Sequence, residues 1–291
     1  EAMQNAFVEF SSKIKPNGLL ISKYGLKKDK DLSASFHLRY SLQNDAADIY
    51  AANITMSHGS YRFDVCTSDW MIDNIILNMG GMHNVENVVA AISVAHYLKI
   101  EPSKIKTAVQ NFKGVKRRFE YIIAPSSLEN LPSSFGKAAG EVVFIDDYAH
   151  HPEELKALIT GAKTLFSGWR CTVVFQPHLF SRTRDFAKEF ATILDMADEV
   201  ILLPIYPARE LPIEGVTSEL ILNEMKMAKA SIQTKEELLN YLSASESLLS
   251  SDSYRDGEDW GEVFITAGAG DIDTLVEPIK QIILNKKNIH Y

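Results

Sequence analysis

The sequence predicts an α/β protein whose later part is built on a mostly parallel sheet, and three observations carry that prediction. Short apolar, β-branched runs at residues 142–146, 171–176, 199–204 and 262–267 alternate with helical patterns at 152–165, 184–196 and 272–284. Such alternation is the pattern of strands buried on both faces beneath helices. Before residue 114, shorter alternating runs are followed by two helical patterns. Between these regions Gly114 and the cations Lys116, Arg117 and Arg118 offer little apolar surface to bury. Residues 114–119 are therefore the natural hinge, and the domains are read as 1–118 and 119–291.

Taken in order, Met3, Phe7, Phe10 and Ile14 form a helical stripe from the first turn. Glu1 is not an initiator, so the expectation is a fragment whose start lies inside a domain. Pro16-Asn17-Gly18 is a turn, and strands are expected at 18–22, 35–42, 49–56 and 61–67, the last two joined by a hairpin turn over 57–60. Val85, Val88, Val89, Ile92 and Ala95 recur with helical spacing, as do Ile105, Ala108, Val109 and Phe112 after Pro102. Residues 125–140 and 243–261, rich in Ser with Pro, Gly or acidic residues, read as exposed loops.

A formal charge of -8 and the lack of a basic run argue against nucleic acid or an anionic membrane as partner. No apolar stretch approaches the ~20 residues that span a bilayer. Cys66 and Cys171 lie far apart, each in a strand-like run, as reduced structural thiols would. A cytoplasmic protein is expected.

Three segments look like sites. In Gly81-Met82-His83-Asn84-Val85-Glu86-Asn87, Asn84 is placed to cap a helix with Asn87 in its first turn. The same carboxamides also suit an adenine edge or a phosphate oxygen. Lys116-Arg117-Arg118 is either a solvated charged stretch or a source of the planar arginine fork that grips phosphate. Asp146-Asp147-Tyr148-Ala149-His150-His151-Pro152 follows a buried strand, with Pro152 opening a helix. Ligands of open α/β sheets gather at such strand ends. A carboxylate there could bind ribose hydroxyls or enter a Mg²⁺ shell, and a histidine could position a second substrate or exchange protons with it.

The next strand ends carry His178, Ser181, Arg182 and Arg184, then Tyr206, Arg209 and Glu210, all expected around one crevice. Gly268-Ala269-Gly270 opens like a dinucleotide fingerprint, but Asp273 stands at the third glycine position. It is read as close backbone packing. No Gly-rich phosphate loop occurs in the chain.

These motifs, with Ala90-Ala91, Gly114 to Glu120, Phe175 to Arg184, Tyr206-Pro207-Ala208 and Gly268 to Ile272 in order along one chain, resemble the Mur ligases. The Asp-Asp-Tyr-x-His-His-Pro form is most similar to the branch that adds L-alanine. The resemblance implies that 1–118 is the later part of a central ATPase domain and 119–291 a Rossmann-like, mostly parallel-sheet C-terminal domain that receives the amino acid. The UDP-sugar domain, the phosphate loop with its lysine, and the Glu and His that hold Mg²⁺ would lie outside this chain. It further implies ATP-dependent ligation of L-alanine to UDP-N-acetylmuramate through an acyl phosphate, with ATP and Mg²⁺ as cofactors. Asn84, Asn87, Arg118 and Asp147 would contact the nucleotide. His150, His151, His178, Arg182 and Arg184 would line the pocket for amino acid and sugar carboxylate. Arg118, Asp147 and His178 would carry the chemistry, and no residue is assigned as a metal ligand. Leu179 departs from the family pattern, in which many relatives have arginine.

Three other readings stand beside this one. They are a recycling ligase that joins a tripeptide to the same sugar nucleotide, a metal-dependent phosphoesterase built on Asp146, Asp147, His150, His151 and His178, and a binding module inactive on its own.

Overall fold

The computed structural model describes residues 1–57, 60–125, 141–227, 229–244 and 261–289. The centre of the expected hairpin turn and nearly all of the two expected loops lie outside them. Contacts divide the chain into two compact units, Glu1–Lys113 and Gly114–Tyr291.

The first unit opens with α1 (Ala2–Ser11), whose Met3, Phe7 and Phe10 are 74%, 64% and 71% exposed. Then follow β1 (Leu19–Lys23), β2 (Phe36–Ser41), β3 (Ile49–Ser57), β4 (Ser60–Cys66) and β5 (Met71–Leu77) in one sheet, in that order. β1, β2 and β3 run parallel, whereas β3, β4 and β5 are antiparallel neighbours. Both antiparallel ladders slip in register, and the left-handed Asn53 (φ 52°) and Asn74 (φ 50°) sit at the slips. One carboxylate holds both: Asp64 accepts from Asn53 Nδ2 and from the Asn74 amide, each at 2.7 Å. α2 (Met82–Tyr97) lays Val85, Val89 and Ile92 on the sheet, and α3 (Pro102–Gln110) buries Ile105 beside β5.

The second unit begins with β6 (Glu120–Ile123) and β7 (Val142–Asp147), followed by α4 (Pro152–Leu165), β8 (Arg170–Phe175), α5 (Phe180–Leu194) and β9 (Glu199–Leu202). α6 (Glu219–Leu222), β10 (Ala230–Ile232), α7 (Lys235–Ala244), β11 (Glu262–Ala267) and α8 (Val276–Ile289) complete it. The sheet order is β10-β9-β8-β11-β7-β6, parallel except for β6 at the edge. Alternation sends Phe144, Val174, Ile201 and Phe264 to one face, where Leu238 and Leu242 of α7 and Ile279 and Ile283 of α8 cover them. Phe175 meets Phe190 of α5 on the other face, at 5.2 Å between rings. Each such side chain contributes about 1.5–3 kcal/mol by leaving water.

Strands β7 and β11 and helix α4 stand where the sequence puts them. α5 begins earlier than expected, at Phe180, because Leu179 takes a left-handed φ of 72° and turns the chain into the helix. A 3-10 turn, Asp271–Leu275, stands where α8 was expected to start. Strands β5, β6 and β10 and helices α6 and α7 are additional to the elements the sequence pattern predicts.

A polar network seals the amino ends of the central strands. Thr172 donates to the buried Glu262 at 2.7 Å, Arg170 pairs with Glu199, and the Tyr241 hydroxyl donates to Glu199 at 2.9 Å. Burial pushes Glu262 up to about 7 against the Thr172 bond and the Arg170 charge. Both cysteines are free, and burial pushes the Cys171 thiol up to about 12, leaving it unreactive. Among the described residues no helix is long and apolar enough to cross a membrane.

Candidate functional site

At the carboxyl end of the second unit's sheet, β7 finishes on two buried acids. Asp146, 1% exposed, accepts from the Thr266 hydroxyl at 2.6 Å and lies 3.3 Å from Arg117 Nε. Asp147 accepts from the Phe119 amide at 2.6 Å and the Ala149 amide at 2.7 Å. Burial raises both acids above the usual carboxylate range, Asp147 to about 6 even with two amides and the Arg118 charge opposing it. Two lone-pair sites on Asp147 remain for hydroxyl donors.

The three cations of the hinge do not share one fate. Arg117 (φ 57°) and Phe119 (φ 50°) are both left-handed, and the reversal turns the Arg117 side chain inward. Its guanidinium donates to the Gly268 carbonyl and, at 3.5 Å, to that of Gly270, lies 3.7 Å from Asp273 Oδ2, and sits 5.0 Å from the centre of the Tyr148 ring. Arg118 is exposed, its guanidinium 5.7 Å from the same ring.

From Tyr148 a ladder of rings crosses the strand ends: Tyr148 to His150 at 5.3 Å, His150 to His178 at 5.7 Å, and His178 to Tyr206 at 5.8 Å, the last pair stacked. Three strand ends therefore meet, as the sequence predicts. His150 Nδ1 lies 2.9 Å from the Tyr148 carbonyl and 3.2 Å from Glu154 Oε2, both of which only accept, so Nδ1 bears a proton and Nε2 is the ring atom left to face a substrate. Arg182 lies 3.3 Å from His178 Nδ1 and only donates, which places the His178 proton on Nε2. Burial and the neighbouring Arg182 and His150 hold His178 below the usual histidine range. Its neutral ring is a donor.

His151 packs on Phe186 at 5.0 Å, while Glu154 reaches back to the His150 and His151 amides at 3.1 and 3.2 Å and caps α4. Arg184 is exposed and pairs with Asp185 at 2.8 Å, apart from the ring ladder. Glu210 accepts from the Ser181 amide at 2.9 Å and fixes the start of α5. Sequence reasoning gave Tyr148 and Glu154 no role. A glutamate three residues after His151, at a helix start, is the signal that could have found Glu154.

In the first unit Asn84 does not cap α2. Gly81 (φ 87°) is the residue before the helix, and Asn84, buried in the first turn, donates back to the Gly80 carbonyl at 2.7 Å. Left-handed glycine makes the turn from backbone alone, which leaves the carboxamide to tie down the preceding loop. Asn87 is exposed one turn later, and Glu86 pairs with Lys23 of β1 at 2.8 Å. The close packing expected of 268–270 is present: a Cβ on Gly270 would lie 2.5 Å from Gln176 Oε1 and 2.6 Å from Tyr206 Cβ.

Among the described residues no three His, Cys, Asp or Glu side chains gather as ligands for a metal. Of the five residues of the phosphoesterase reading, Asp146 is directed to Thr266 and Arg117, and His151 packs on Phe186. A nucleotide-borne Mg²⁺ asks less of the protein, one or two carboxylates, and Asp147 fits that demand.

Two family models match: the Mur ligase middle domain over residues 1–95, and the Mur ligase glutamate ligase domain over 134–252. The chain belongs to the Mur ligase family. A curated relative from Cytophaga hutchinsonii, named UDP-N-acetylmuramate--L-alanine ligase, is 39% identical over 96% of this chain and 54% of its own length. A relative of the same name from Parabacteroides distasonis is 37% identical over 97% of this chain and 55% of its own. This Mur ligase chain thus spans about half the length of the curated relatives it matches. Among solved structures, the UDP-N-acetylmuramate-alanine ligase of Thermotoga maritima superposes with a TM-score of 0.65 at 21% identity, covering 99% of this chain and 55% of that one. A murein peptide ligase from Psychrobacter arcticus gives 0.54 at 19%, over 98% and 55%. Both share the Mur ligase fold.

Proposed function

We propose that the protein joins L-alanine to UDP-N-acetylmuramate at the expense of ATP, forming a C–N bond in peptidoglycan synthesis in the cytoplasm. The observation that carries this reading is the continuous polar track from Asp147 and Arg118 through Tyr148 and His150 to His178 and Arg182. The names of relatives 35–39% identical over nearly the whole chain support it.

A carboxylate resists attack by an amine until one oxygen becomes a leaving group, so phosphorylation by ATP to an acyl phosphate comes first. In this reading residues 1–118 supply the later part of the ATPase domain and 119–291 the amino-acid domain. Asn84 and Asn87 serve the nucleotide, Asp147 its ribose hydroxyls, and Arg118 the charge of the transferring phosphoryl group. Nucleotide-bound Mg²⁺ would neutralise phosphate charge. His178 Nε2–H and Arg182 hold carboxylate or oxyanion, and the His150 Nε2 lone pair takes a proton from the attacking amine. In this reading His151 and Arg184 would act from the edge of the substrate pocket, although His151 packs on Phe186 and Arg184 pairs with Asp185. A net charge of -8 leaves small anions, not nucleic acid or membranes, as partners.

The test is phosphate release by the protein produced from its complete reading frame. Release that requires ATP, UDP-N-acetylmuramate and L-alanine together is expected. Preference for a tripeptide over L-alanine would replace this reading with the recycling ligase, and release without any amine would replace it with a hydrolase.

A further inference from the structure

Resting on the ligase reading above, we propose that Arg117 is a positioning residue. Its buried guanidinium locks the 117–119 turn, and through that turn sets Arg118 and Asp147 for the nucleotide. Left-handed backbone is unfavourable for a non-glycine residue and persists only where the surroundings over-determine it. Two such residues, Arg117 and Phe119, flank Arg118.

What holds them is visible. The Arg117 amide donates to Glu120 at 2.8 Å, its carbonyl accepts from the Tyr148 amide at 2.8 Å, and the Phe119 amide donates to Asp147. The side chain adds a fourth tie, to Asp146, Gly268, Gly270 and Asp273. With its side chain 15% exposed and its two terminal nitrogens directed at the Gly268 and Gly270 carbonyls, Arg117 has no fork to offer a phosphate.

The Gly268-Ala269-Gly270 loop, which looks in sequence like the start of a phosphate cradle, turns two carbonyls toward this guanidinium. It therefore cradles a cation. Tyr148 takes both arginines within reach of its ring, at 5.0 and 5.7 Å, so a shift of Arg117 passes directly to Arg118.

A double-mutant cycle tests this in the protein from its complete reading frame, with Arg117→Ala, Arg118→Ala and both together, and with Arg117→Lys in case the alanine variant does not fold. Arg117→Ala is expected to lower kcat/KM for ATP about tenfold or more while KM for L-alanine stays within about twofold. The double variant should be no worse than Arg118→Ala alone, since two residues acting through one contact are not additive. Arg117→Lys should recover little, because a point charge cannot span both carbonyls. Multiplying effects, or a loss confined to melting temperature with ATP kinetics unchanged, would overturn the proposal. Should the unsubstituted protein bind ADP but fail to ligate, the ligase reading alone fails, and the same cycle on ADP affinity decides the role of Arg117. Absence of ADP binding overturns both.

Discussion

The two ends of the second unit's sheet each bury a carboxyl group raised far above its ordinary range, Asp147 to about 6 and Glu262 to about 7, yet only one end has the form of a site. Around Glu262 the partners Thr172, Arg170 and Glu199 sit on regular extended strands. Around Asp147 the chain bends through left-handed Arg117 and Phe119, with Leu179 and Ala208 left-handed at the neighbouring strand ends, and Arg118 stands exposed. A displaced pKa therefore records burial. Strain together with accessible cations and imidazoles records function.

The sharpest way to break that contrast is kinetic. Asp147→Ala or Arg118→Ala should cut kcat/KM for ATP about 100-fold, whereas Glu262→Gln should leave it within about twofold at neutral pH. Crippled kinetics in a folded Glu262→Gln protein would erase the distinction.

Next in size are the glycines. Gly270→Ala, whose Cβ would crowd Gln176 and Tyr206, and Gly261→Ala, whose Cβ would come within 2.6 Å of the Trp169 ring, should each cost about 1–3 kcal/mol in denaturant unfolding. Only the first should also disturb turnover.

Stability against pH separates the two ends again. An acid whose folded pKa is raised contributes stability that is complete below its unfolded value and lost as pH rises through the folded value. Asp147 loses its share between 3.8 and about 6, and Glu262 between 4.5 and about 7. Glu262→Gln should flatten the upper part of the fall, on the order of 2 kcal/mol, and Asp147→Asn the lower part. An unchanged slope above pH 6 in Glu262→Gln would show that its carboxyl is not held protonated. The smallest effect expected is with Arg182→Ala: about a tenfold higher KM for L-alanine and unaltered KM for ATP.

How much of this could be read from the residues depended on the length and regularity of each pattern. β7, α4 and β11 carry unbroken periodicity and a Pro at the helix start, and they stand where expected. β5 is not legible in the pattern because Asp73-Asn74 interrupts its alternation, and a left-handed Asn74 lets the strand continue regardless. β6 and β10 are four and three residues long, too short for a period to emerge.

The site was legible as a set of residue types at strand ends, but not as roles. Nothing in Lys116-Arg117-Arg118 says which arginine turns inward, since that is decided by the sign of φ at Arg117 and Phe119. Likewise Asn84 looks like a cap until Gly81 is seen to make the turn without it.

The indole of Trp169 rests on Gly261, one residue from Glu262, while Trp70 lies 4.7 Å from His96 in the first unit. Each unit therefore carries its own fluorophore. With Trp260 changed to phenylalanine, emission from these two should report the melting of the units as separate optical signals.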